Sequence, residues 1–189
     1  MMPAIDKMLE TMREQDIPDE TMVKFTLPRI KKATPTEIVE FTRQMEGLLS
    51  KEQCLRIMDE QGCNKSNKVS AAFRKFGEKY ADKTLLERIA LMSELETGHK
   101  VNHITLNDNG TVTLQFGTAS GENYHCPCTP IKKLKPYDFP LTYCGCCGAH
   151  VRYTHEFALG VKLRLIEVVS SMANSNGEKG CEFIYEIVD

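Results

Sequence analysis

Apolar residues in the first half of the chain recur three and four positions apart, the spacing of one helix face. Ile38, Phe41, Met45 and Leu48 follow Thr34-Pro35-Thr36-Glu37. In that tetrapeptide Thr34 can cap, Pro35 suits the first helical position and Glu37 completes a capping box. Ser50-Lys51-Glu52-Gln53 repeats the box and predicts a second helix running to Gly62, a C-terminal stop. A third helix is predicted from about Asn67 to Tyr80, with Val69, Phe73 and Phe76 on one face. A fourth follows Asp82, brings Leu85, Ile89 and Met92 into register, and ends near Gly98. Ile5, Met8 and Met12 suggest a short leading helix that either docks or frays.

Near residue 100 the period shortens to two. Val101 to Leu106 and Thr111 to Phe116 are strand-like and flank Asn107-Asp108-Asn109-Gly110, whose Asn109-Gly110 pair tolerates positive φ, so a hairpin is predicted. Gly117 to Pro140 is rich in glycine, proline and polar residues and reads as a long excursion outside the core, the kind of loop that is often functional. A helix is predicted over roughly Ala149 to Leu159, ended by Gly160. Val161, Leu163 and Leu165 alternate with charged neighbours, and Cys181, Phe183, Tyr185 and Ile187 alternate again across a polar connection, Ser170 to Gly180. The fold class is therefore α+β: a helical N-terminal half followed by an antiparallel sheet of two hairpins packed against a helix. The natural division is a helical region, 1–98, and a cysteine-rich region of sheet and helix, 99–189, unless both join in one continuous domain. There is no internal repeat and no low-complexity tract.

Composition narrows the classes of function. The 189 residues are 41% hydrophobic and 26% charged, enough to bury a core without staples. Basic and acidic residues nearly cancel, 24 against 26, and form no basic block, so no nucleic-acid partner is expected. The most apolar stretch, Val161 to Val169, is broken by Lys162, Arg164 and Glu167, so no membrane span is expected. The N-terminus carries acids among its apolar residues and has no apolar secretory core, which places the chain in the cytoplasm as an expectation. In a reducing compartment the eight cysteines read as metal-binding or reactive thiols rather than as a disulfide framework.

Cys126, Cys128, Cys144, Cys146 and Cys147 form a cluster flanked by His125 and His150. Cys144-Gly145-Cys146-Cys147-Gly148 holds a C-x-x-C followed by glycine, the spacing of a zinc knuckle, in which glycine lets N–H groups turn toward sulfur. Cys126-Pro127-Cys128 adds a second close pair across a loop of suitable length. Zinc takes four sulfur or nitrogen donors. The first tetrad is Cys126, Cys128, Cys144 and Cys147, with Cys146 and His150 as alternates, three cysteines plus His150 being a close second. An iron–sulfur cluster also uses thiolates and stays open beside zinc, although the C-x-C spacing is less typical of clusters.

The rival reading is chemical. Cys147 near a helix N-terminus would have a lowered pKa, and His150, one turn on, could serve as its base in a thiol-dependent hydrolase of small molecules or a redox enzyme. The adjacent Cys146-Cys147 pair could capture a soft metal or form a redox bridge. Cys54 and Cys181 read as buried small hydrophobes, and Cys63, at a helix end, as structural though within reach of a site. His99, His103 and His155 have no evident partners and read as surface or satisfied core residues. No P-loop, G-x-S-x-G or H-E-x-x-H is present, so whether the chain is an enzyme stays open.

The helix into Ala158-Leu159-Gly160, the strand Val161 to Val169, and Gly177-Glu178-Lys179-Gly180-Cys181-Glu182-Phe183 together carry a family likeness. This part resembles the vinyl-reductase-like sensory domains, a group sharing its fold with haem-NO-binding domains and a vesicle-tethering subunit. The resemblance implies a helical N-terminal part, an antiparallel sheet and a pocket for a small ligand, and it marks Cys181 as a family-like position. The Cys126–Cys147 cluster departs from the family pattern, as in a cysteine-rich bacterial branch. The leading expectation is a zinc module whose site pins the 117–140 excursion to the following helix. A third reading is a ligand-sensing domain in which the cysteines only support the pocket, a small molecule being the partner the sequence leaves open.

Overall fold

A computed structural model of the chain describes residues 3–27, 31–62, 67–92, 95, 101–117, 119–120, 123–128, 130–134 and 138–188, with 67–69, 101–102, 119–120 and 133 described by backbone alone. The helical half holds α1 (Ile5–Glu14), α2 (Asp19–Met22), α3 (Pro35–Leu48), α4 (Lys51–Asp59), α5 (Asn67–Lys79) and α6 (Leu85–Leu91). Both predicted capping boxes form. The Thr34 hydroxyl accepts from the Glu37 N–H and the Glu37 carboxylate accepts from the Thr34 N–H, and Ser50 and Gln53 repeat the exchange. A third box, Thr84 with Glu87, opens α6. The leading helix docks: Ile5, Met8 and Met12 are fully buried. Helix α4 stops at Asp59, short of Gly62. Helix α6 stops at Leu91, and Gly98, its expected end, lies outside the described residues.

The second half supplies β1 (Val101–Leu106), β2 (Val112–Gly117), β3 (Ala119–Ser120), β4 (Asn123–Tyr124), α7 (Gly145–Leu159), β5 (Lys162–Ser170) and β6 (Cys181–Val188). The two predicted hairpins pair through β2 and β6, giving an antiparallel sheet in the order β1-β2-β6-β5. The first hairpin turns with positive φ at Gly110 alone, while Asn109 uses its side chain to accept from the Thr111 N–H and hydroxyl. Val112, Leu114, Phe116, Leu163, Leu165, Phe183 and Tyr185 are buried on one sheet face, and α7 covers that face. Edge strand β5 carries register shifts between Leu165 and Glu167 and between Val168 and Ser170. These bulge Ile166 and Val169 outward, and both are exposed.

Helix α7 differs most from expectation. It begins at Gly145, four residues before Ala149, so Cys146 and Cys147 lie in its first turn and Cys144 caps it. The glycines there serve packing. A Cβ at Gly145 would stand 2.7 Å from the Met58 Cβ, and one at Gly148 would stand 3.0 Å from Leu165 Cδ2 and 3.1 Å from Phe183 Cδ1. The helix can therefore lie close to α4 and the sheet, and the Tyr185 hydroxyl donates to the Gly148 carbonyl at 2.8 Å. Arg152 ties the layers together, bonding Asp59 of α4 at 2.9 Å and Glu156 at 3.1 Å, while Glu156 also accepts from the Leu163 N–H of β5. The helix ends at Gly160 as predicted.

Two segments expected outside the core are partly inside it. Ile131 and Phe139 of the 117–140 excursion are buried, and the Phe139 ring tilts against Tyr143 at 5.6 Å. The connection between β5 and β6 buries Ser171, Met172 and Ala173.

Candidate functional site

The CPC arm is placed by backbone contacts just ahead of it. Strand β2 ends at Gly117, where the bare Cα admits the Tyr124 ring, since a Cβ would come within 2.7 Å of Tyr124 Cδ1. The Tyr124 N–H donates to the Gly177 carbonyl at 2.8 Å. Cys126 and Cys128 therefore follow beside the connection that leads into β6. The arm continues into a 3-10 turn, Ile131–Lys133, with the Lys132 N–H donating to the Cys128 carbonyl at 3.3 Å. Farther on, Asn174 of the same connection donates to the Phe139 carbonyl at 2.9 Å.

That connection also holds two buried thiols. Cys144 closes a 3-10 turn, Leu141–Cys144, and Cys181 opens β6 opposite Phe116. Ser171 and Met172, consecutive in the connection, lie near enough to these two sulfurs to favour their charged forms.

Electrostatics joins the CPC arm to this pair. Burial pushes the Cys144 thiol well above its ordinary value, and charge on Cys181, Cys126 and Cys128 raises it further against the opposing Ser171 bond. Burial likewise pushes Cys181 up to about 12, with Cys126 and Cys128 adding to it and the Met172 N–H opposing. Charge on Cys126 and Cys128 therefore reaches both buried thiols. Among the described residues, no three histidine, cysteine, aspartate or glutamate side chains stand close enough together to hold a metal ion.

The other candidates separate. Cys146 is buried and Cys147 half-buried in the first turn of α7, and charge on Cys147 acts on Tyr185. Cys147 and His150 lie one turn apart on α7, as the spacing requires. Cys54 is buried, and burial together with the Glu46 charge pushes it up to about 12, an inert core thiol. His155 is also core. Its Nδ1 bonds the Val151 carbonyl at 2.8 Å and its ring stands edge-on to Phe73 at 4.8 Å. His103 and His125 are exposed, while Cys63 and His99 lie outside the described residues. Cys181, read from the sequence as a buried small hydrophobe, is buried at the start of β6. Its family-like position was the only sequence signal beyond that burial.

No family model matches the chain, and no curated protein matches it. Three solved structures of an H-NOX protein from Shewanella oneidensis are similar to it. One, in the Fe(II)NO state, is 11% identical with a TM-score of 0.33 over all of both chains. A histidine-to-glycine mutant in the Fe(II)CO state is 13% identical with a TM-score of 0.34, covering all of this chain and 99% of the other. A triple mutant in the Fe(II) state is 12% identical with a TM-score of 0.32, covering all of this chain and 97% of the other. Likeness at that level carries no argument about fold or function, and the vinyl-reductase-like resemblance gains no support from these matches.

Proposed function

We propose that the chain is a zinc-binding module in which Cys126, Cys128, Cys144 and Cys181 supply four thiolates. The observation behind this reading is that Cys144 and Cys181 are buried beside the consecutive residues Ser171 and Met172, next to the arm that carries the other two cysteines. Four thiolates suit zinc, and a four-ligand site without an open position is structural. Burial, with repulsion between the thiols added to it, now holds the buried pair protonated. A divalent cation reverses that sign, so uptake would release protons and draw the CPC arm onto the end of β5. Cys147 was the fourth ligand expected from spacing, with Cys146 and His150 as alternates. All three ride on α7, where charge on Cys147 acts on Tyr185, as does charge on Cys181.

Elemental analysis of protein purified without oxygen tests this reading, with about one zinc per chain expected. Cys181→Ser should lower zinc affinity by about tenfold or more, and Cys147→Ser should leave it unchanged. Iron with strong visible absorbance would replace zinc by a cluster. No stoichiometric metal would sink the reading, and loss in Cys147→Ser alone would return the fourth position to that residue.

A further inference from the structure

A cavity of about 450 Å³ lies in the seam between α4 and the edge strand β5, closed at one end by the Leu141–Cys144 turn. The volume falls within the range of small-molecule sites. Leu49, Leu55, Leu141 and Val168 give it apolar walls. Its charged groups are Glu46, Lys51 and Glu167. Lys51 is committed to Glu167 at 2.8 Å. Glu46, an exposed side chain, accepts from the neutral Thr142 hydroxyl, and among the described residues no ion pair is formed with it. The lining therefore carries one net negative charge, placed beside hydrocarbon.

We propose that this cavity binds an organic monocation, an ammonium group on a short hydrocarbon body, and that its occupancy is linked to the thiol cluster. The ammonium would sit against Glu46, with its chain along Leu55 and Leu141. An organic anion would meet an unpaired carboxylate, and a neutral alcohol would forgo the charge. Linkage follows from shared walls. Leu141 and Thr142 begin the turn that ends at Cys144. Val168 and Val169 lead through Ser170 into Ser171 and Met172, which lie beside the sulfurs of Cys144 and Cys181. A ligand that holds these walls at one spacing holds the two thiols at one spacing, so ligand and zinc should favour each other reciprocally. The linkage rests on the zinc reading above, whereas the cavity does not.

The test is calorimetric titration of the metal-free and zinc-loaded chain with n-hexylammonium, with hexanoate and 1-hexanol as controls. Saturable binding of the ammonium alone is expected. Glu46→Gln should weaken it about tenfold, and circular dichroism of that variant should match the parent. Equal binding of hexanoate, no saturation, or an unchanged affinity in the folded variant would overturn the site. Zinc should tighten the probe by about fivefold, and equal affinities in the two forms would overturn the linkage. A chain that takes up no zinc would end the zinc reading and the linkage, with the metal-free titration still deciding the cavity.

Discussion

A single hydrogen at position 145 sets how closely α7 approaches α4. An added methyl there would meet the Met58 Cβ at 2.7 Å, and a Cβ cannot rotate away. Alanine is worth about 1 kcal/mol over glycine inside a helix, but forced overpacking costs about 1–3 kcal/mol. Gly145→Ala should therefore lose about 1–2 kcal/mol, read from the urea midpoint. Gly148→Ala meets methyl and ring carbons at 3.0 and 3.1 Å, the outer ends of side chains. Those can shift by tenths of an ångström, so this variant should fall closer to the parent, and the reverse ranking would refute the packing account. In the sequence both glycines resembled a turn around sulfur. Their true demand comes from Met58 and Leu165, which no local pattern names. The burial of Cys181 was legible from its place in an alternating strand, whereas its nearness to Ser171 and Met172 arises only through the fold.

At the scale of elements, what was legible depended on signals held within one element. Thr34 and Ser50 announced α3 and α4 because a capping box is complete within four residues. The start of α7 was hidden because cysteine and glycine are weak helix formers, and tertiary contacts overrode that preference. The order of the sheet was not legible either, since pairing of β2 with β6 joins segments far apart in the chain. What fastens α7 to both neighbours is Arg152, held between Asp59 and Glu156 with all three side chains mostly buried. Burial raises the Asp59 pKa and Arg152 opposes that rise. Arg152→Met keeps the hydrocarbon stem but strands the Asp59 carboxylate, while Glu156 keeps the Leu163 N–H, at a cost of about 3 kcal/mol at neutral pH. In the variant the Asp59 pKa rises further, so its protonation relieves the cost as pH falls. The gap in denaturation midpoint between variant and parent should narrow from pH 7 to about pH 5. A gap of constant size would mean that Arg152 acts through packing alone.

For the whole molecule, one core gathers four acids that resist ionisation. Cys54 and Cys181 are each pushed up to about 12, Cys144 stands well above the usual thiol value, and Tyr185 well above the usual phenol value, all chiefly by burial. In the unfolded chain thiols lose their protons near their ordinary value of 9.0. Folded values above unfolded ones mean that the native state holds protons which the unfolded state has released. The associated stability is whole below about pH 9 and drains as pH climbs toward the folded values, at up to about 1.4 kcal/mol per pH unit for each thiol. Metal-free protein should therefore lose denaturant resistance steeply between about pH 9 and pH 11. Cys54→Ala should blunt that slope without touching metal uptake, since Cys54 is not among the four proposed ligands. Zinc changes the sign for two of the four. If Cys144 and Cys181 are metal-bound thiolates in the native state, their folded values lie below the unfolded one. Their contribution then persists into alkali and is lost instead as acid reprotonates them. Denaturation curves of the zinc-loaded chain should accordingly show a shallower alkaline slope and a new acid-side loss accompanied by metal release. A pH profile identical with and without zinc would place the cation away from these two buried sulfurs.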